Sequence, residues 1–141
     1  MVDETRVSRL LLALSEELGF LAEEAAAPVA RQQDRAVRRG VKYALATAVE
    51  ACVDIAHHVC ASEGWGPLNN NAHSMLVLSR HGVLSADLAG RMSRAVGFRN
   101  VLVHEYIEVD EELVTARLAD HGDLHEFAAA VAEFVTRSAE R

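Results

Sequence analysis

Four side chains able to do chemistry crowd into eight residues of an otherwise aliphatic chain: Arg99, Asn100, His104 and Tyr106, within Gly97-Phe98-Arg99-Asn100-Val101-Leu102-Val103-His104-Glu105-Tyr106. An imidazole titrates near neutrality and serves as general base or general acid. A guanidinium offers a planar fork of donors matched to phosphate oxygens, where it stabilises added negative charge. Asn100 stands ready to fix the tautomer and tilt of His104 or to hold a phosphate. The set suits cleavage of RNA, which needs a 2′-hydroxyl deprotonated, charge on phosphorus stabilised and the departing 5′-oxygen protonated. None of these steps requires a metal, and the residues expected to carry them are Arg99, His104 and Asn100.

Spacing constrains how these groups meet. On a continuous helix Asn100 and His104, four apart, share a face, and Arg99 and Tyr106, seven apart, share another; Arg99 and His104 diverge by about 140°. Two devices bring them together. Gly97 is expected to loosen the helix so that the motif straddles a helix end, and a two-fold dimer would place two arginines and two histidines in one composite cleft.

The elements that position this segment are helical. The 141 residues suit one domain, 1–141, long enough to bury a core without staples. Half the residues are apolar but only seven are aromatic, and the abundance of alanine and leucine favours helix over strand. Apolar residues recur at helical spacing from Val7 through Leu10, Leu14, Leu18 and Leu21, which predicts a first helix over 3–27 that Pro28 ends. Val37, Val41, Leu45, Ala48, Cys52, Ile55 and Val59 predict a central helix of about 30 residues, ~45 Å long, ending before Gly64. Residues 64–71 form a loop in which Trp65 is expected to pack on the core. A short helix over 72–80 stops at Gly82, Ser85 caps a fourth helix running toward the motif, Asp110 caps a fifth and Asp123 opens a sixth. The fold expected is an all-α bundle of five to six helices.

Charge and the remaining clusters narrow the function classes. A net charge of −7 repels polyanions unless a local basic surface exists. Arg31, Arg35, Arg38 and Lys42, at spacings of four, three and four, would form one basic helical stripe and are the candidate RNA-binding residues. Cys52 and Cys60 lie about 12 Å apart along one helix and cannot pair within it, so both are expected as packed free thiols. Asp54, His57, His58 and Cys60 make at best a weak metal pattern, with Asp54 and His58 one turn apart and no second cluster, so neither metal nor cofactor is expected. His121 and His125 read as helix-end residues. The stretch 41–61 is interrupted by Lys42, Glu50, Asp54, His57 and His58 and reads as too polar for a membrane span, and the N-terminus has no leader pattern, so a cytoplasmic protein without membrane association is expected.

Arg99-Asn100-x-x-x-His104-x-Tyr106 resembles the Arg-x4-His-x-Tyr signature of the HepT-like toxins, within the HEPN superfamily of helical ribonucleases. Gly97-Phe98 before it, Val109-Asp110 after it, and the stretches Tyr43-Ala44-Leu45 and Glu50-Ala51-Cys52-Val53-Asp54-Ile55-Ala56 are similar to that family as well. The resemblance covers roughly residues 39–110. It implies a homodimeric HEPN-type bundle that cleaves RNA and is the toxin partner of a minimal nucleotidyltransferase antitoxin. It places Arg99 and His104 at the catalytic positions, Asn100 at the polar position beside the arginine, and Tyr106 where such an antitoxin adds AMP. An adenylate there would fill the cleft and repel substrate phosphate.

Two other classes of function fit the same residues. One is a non-catalytic HEPN module that binds a nucleotide or serves as partner subunit of a nucleotidyltransferase; it predicts complex formation without turnover. The other is a helical adaptor in which Arg99 and His104 are interface hydrogen-bonding groups.

Overall fold

The computed structural model describes residues 2–104 and 111–140, with His104 described by its backbone alone. Seven helices and no strand occur among the described residues: α1 (Glu4–Ala25), α2 (Val29–Gln32), α3 (Arg35–Glu63), α4 (Asn71–Arg80), α5 (Ala86–His104), α6 (Glu111–Ala119) and α7 (Gly122–Ala139).

α1, α3, α4 and α5 each begin where a short polar side chain accepts from the first free backbone amides. Asp3 accepts from Arg6 N at 3.1 Å, Asp34 from Ala36 N and Val37 N at 2.9 and 3.1 Å, Asn70 from His73 N at 2.8 Å, and Ser85 Oγ from Leu88 N at 3.0 Å. Gly64 ends α3 with φ +69°, a left-handed conformation that costs glycine little, and lets Trp65 N donate back to Cys60 O at 2.9 Å. α7 begins one residue earlier than its expected Asp123 start. His121 makes that turn, with Nδ1 2.9 Å from Leu118 O, and Asp123 Oδ1 accepts from Leu124 N at 2.9 Å and faces Arg117 of α6.

The one helix absent from the sequence reading is α2. Pro28 does end α1, but its fixed φ also starts a single new turn. From that turn Gln32 Nε2 donates to Glu24 O and Ala25 O at 2.9 and 3.1 Å, satisfying carbonyls that the end of α1 leaves open. Arg31 pairs with the buried carboxylate of Glu24 through Nε and Nη2, the latter at 2.8 Å.

α3 is the central element and packs against all six other helices. Eleven of its residues are buried, from Val41 to Cys60, and several are alanines, which let neighbouring helices approach closely. By length and composition alone α3 is apolar enough to cross a membrane, which corrects the expectation from its interrupting polar residues. Its apolar faces are spent on the bundle core instead, where Leu45, Ile55 and Cys52 meet Leu14, Leu21, Met75, Leu78, Met92, Leu124 and Phe127. Cys52 and Cys60 are buried free thiols, and burial pushes both thiol pKa values up. Trp65 packs on this core, its ring stacked on His81 with centroids 4.1 Å apart and tilted against Phe134 at 5.9 Å.

Candidate active site

α5 carries the motif on an extension of its buried face. Leu88, Ala89, Met92, Ala95 and Val96 point into the core, and Arg99, three residues after Val96, stays on that side of the helix at the core's edge. The helix runs unbroken through Gly97 to His104, so the expected loosening at Gly97 does not occur. A glycine inside a helix costs only about 1 kcal/mol relative to alanine, too little to break α5 while its flanking residues are packed. Along an unbroken helix Arg99 and His104 diverge by about 140°, so α5 by itself does not aim both at one atom.

Arg99 is held but not consumed. One-fifth of its side chain is exposed, Nη2 lies 3.3 Å from Glu50 Oε2 on α3, and Nη1 donates to Asn100 Oδ1 at 3.3 Å. Its Nε is buried without a partner. Beside it opens a cavity of about 280 Å³ lined by Glu50, Val53, Asp54 and His57 of α3, Asn71 of α4, and Val96 and Arg99 of α5. Asn100 is exposed next to Arg99. His104 is the last residue of α5, and both its side chain and Tyr106 lie outside the described residues, as does Asp110, the expected cap of α6.

Glu50, Asp54, His57 and Asn71 are the lining residues that the motif alone did not reveal. The available signal was the polar stripe 50, 54, 57 at spacings of four and three within an apolar helix. His57, not His58, shares the cavity with Asp54; His58 Nε2 faces Ser62 Oγ at 3.4 Å, and Cys60 is buried in the core. The Asp54–His58 pair considered for a metal is thus split, and no group of three or more potential ligands converges among the described residues.

The basic stripe is also not one surface. Asp34 starts a new helix after Arg31, so Arg31 sits on α2 and turns to Glu24, while Arg35, Arg38 and Lys42 remain aligned along α3. Arg38 Nε lies 2.7 Å from Glu111 Oε2, Lys42 Nζ pairs with Glu111 Oε1, and Arg38 Nη2 also donates to Glu111 O at 2.8 Å. The Lys42 and Arg38 hydrogen bonds hold the Glu111 carboxyl below its ordinary pKa. Together these contacts fasten the start of α6 to α3.

Comparison with known proteins places the chain in a family. The chain is similar to the mRNA nuclease HepT of Shewanella oneidensis, 28% identical over 90 residues that span 64% of this chain and 68% of that one. Its fold is similar to that of the tri-AMPylated Shewanella oneidensis HEPN toxin, solved in complex with MNT antitoxin, with TM-score 0.82, 21% identity, and coverage of 90% of this chain and 96% of that chain. It is likewise similar to YutE of Bacillus subtilis, a cytosolic protein of unknown function, with TM-score 0.84, 15% identity, and coverage of 97% and 93%. The ribonuclease HepT-like family model matches residues 13–132, nearly the whole helical bundle and all of the Arg99–Tyr106 segment, and the chain belongs to that family.

Proposed function

We propose that this chain is the ribonuclease toxin of a toxin–antitoxin pair and that it works in the cytoplasm on cellular RNA. The observation that carries the reading is Arg99, held by Glu50 at the mouth of an open cavity and five residues before His104, in a chain of the ribonuclease HepT-like family.

In this reading two copies of the chain face each other and pool their motifs in one cleft. One His104 takes the proton of a 2′-hydroxyl, the 2′-oxygen attacks phosphorus, and Arg99 and Asn100 hold the phosphate as charge builds. The 5′-oxygen departs with a proton from the second histidine, leaving a 2′,3′-cyclic phosphate and a 5′-hydroxyl. No step calls for a metal. A nucleotidyltransferase antitoxin silences the site by transferring AMP from ATP to the Tyr106 phenol with loss of pyrophosphate, which sets a bulky anion where substrate phosphate must lie. Arg35, Arg38 and Lys42 line one face of α3 as the surface for the RNA backbone, with Arg31 set apart on α2.

The test is incubation of the purified, unmodified protein with total RNA in excess EDTA, beside His104→Ala, with analysis of 3′ ends. Cyclic phosphate ends from the wild type alone are expected. No cleavage by a folded, unmodified dimer would replace this reading with the non-catalytic partner subunit.

A further inference from the structure

Of the aromatic side chains among the described residues, Phe20, Trp65, Phe98, Phe127 and Phe134 are packed in or against the core. Tyr43 of α3 is the exception, with 69% of it exposed. A single exposed ring is ordinary surface; its surroundings distinguish this one.

Tyr43 and Glu50 are seven residues apart and share one face of α3, about 10 Å from each other along its axis. Glu50 is the residue that holds Arg99, and Lys42, beside Tyr43, holds Glu111 at the start of α6. The stretch that carries the motif is thus tied to α3 at Glu50 on one side and at Lys42 on the other, and Tyr43 lies between these ties. One turn before Tyr43 on the same face is Arg39, exposed and without an ion pair to a described residue, and exposed Arg35 follows one turn beyond it. The charge along α3 therefore changes sign: Glu50 and Asp54 stand exposed on one side of Tyr43, Arg39 and Arg35 on the other. A polyanion leaving a phosphate at Arg99 is drawn past Tyr43 toward Arg39 and repelled from Asp54.

We infer that Tyr43 and Arg39 form the track on which single-stranded RNA lies beside the cleavage site. A base stacks on the Tyr43 ring, about three nucleotides from the phosphate at Arg99 at the 3.4 Å spacing of a stacked strand and fewer in a splayed one. Arg39 holds a phosphate further along. An aromatic face interleaved with cations takes any base by its π face and the backbone by its charge, which is how surfaces for single strands work. A duplex keeps its bases stacked on one another and offers Tyr43 no face. The inference rests on the ribonuclease reading for its claim that the strand is a substrate.

The test is fluorescence anisotropy with a labelled 2′-O-methyl oligoribonucleotide, which has no free 2′-hydroxyl and stays uncut, presented as a single strand and as a duplex over a range of salt, with RNA cleavage assayed separately. The single strand is expected to bind more tightly than the duplex. Tyr43→Ala should weaken single-strand binding by about fivefold or more, and Tyr43→Phe should keep it within about twofold, because stacking needs the ring and not the hydroxyl. Arg39→Gln should shrink the slope of log K against log salt by about 0.7. No binding of the strand, equal binding of the duplex, binding unchanged by Tyr43→Ala or weakened as much by Tyr43→Phe, or a salt slope unchanged by Arg39→Gln would overturn the track. So would a Tyr43→Ala protein that sediments as a smaller species than the wild type, since this face would then be a contact between copies of the chain. A protein that binds the strand through Tyr43 without cutting RNA keeps the track and loses the ribonuclease; one that cuts RNA but binds alike with and without the ring does the reverse.

Discussion

Arg99 on α5 and Glu50 on α3 meet with 3.3 Å between Nη2 and Oε2, across 49 residues of chain, at the edge of the cavity that both line. A partly exposed pair at this distance adds well under about 1 kcal/mol to stability. Its consequence is orientation: the guanidinium is held to one side while Nε stays uncommitted.

Arg99→Ala is expected to lower RNA cleavage by about a hundredfold or more, the usual effect of removing a donor from a developing charge. Because the guanidinium contributes little to the core, the melting temperature should change by no more than a few degrees. Initial rates on a defined RNA and a thermal melt check both halves, and loss of folding with the substitution would contradict the placement of Arg99 at the core's edge.

Arg35, the first residue of α3, is exposed and is the member of the α3 stripe that carries no ion pair to Glu111. Replacing Arg35 with Glu should weaken RNA binding and shrink the slope of log K against log salt by roughly 0.7, the share of one single-stranded phosphate contact. Filter binding over a range of salt concentrations measures it. An unchanged slope would make this face of α3 ordinary solvated surface.

Glu111 titrates below the ordinary carboxylate value of 4.5 because Lys42 and then Arg38 hydrogen-bond its ionised form. The unfolded chain therefore takes up this proton at higher pH than the folded one. The stabilisation is complete above 4.5 and is lost as pH falls through the lower folded value. Wild type and Glu111→Gln should differ in denaturant midpoint at neutral pH and converge in acid. With the side chain about half exposed the gap will be small and will narrow with salt.

Cys52 is fully buried, and burial, reinforced by the nearby negative charge of Asp123, pushes its thiol well above the usual range. Its thiolate is what reacts, so alkylation of the native protein should track unfolding and not the pH of the medium. Iodoacetamide labelling read by mass spectrometry, with and without denaturant, provides the measurement; rapid labelling in native buffer would mean that α3 opens locally around Cys52.

Helical periodicity made α1 and α3 legible, since Val7 to Leu21 and Val37 to Val59 repeat over many turns. α2 escaped because four residues carry no period: Pro28 is expected only to end α1, although it also starts α2, and Asp34, the cap of α3, does not stand out in the apolar pattern. The same oversight made a continuous stripe of Arg31, Arg35, Arg38 and Lys42, because a helical wheel drawn across Asp34 assumes one helix where there are two. Gly97 misled in the opposite sense: intrinsic propensity argued for a break, and packing on either side of it kept α5 whole. At the candidate site the sequence could show Arg99, because its chemistry stands out locally. It could not show that Glu50, Asp54 and His57 face it, since that depends on the crossing of α3 and α5, a tertiary relation with no local trace.

Trp65 is the only tryptophan in the chain, and it is stacked on His81 at 4.1 Å while also leaning on Phe134 of α7. One indole wedged between the end of α4 and the last helix is a built-in optical probe. Its emission reports whether α7 is seated on the rest of the bundle, without a label and at some remove from Arg99. Assembly with another chain or loading of the cavity can thus be separated spectroscopically from opening of the bundle itself.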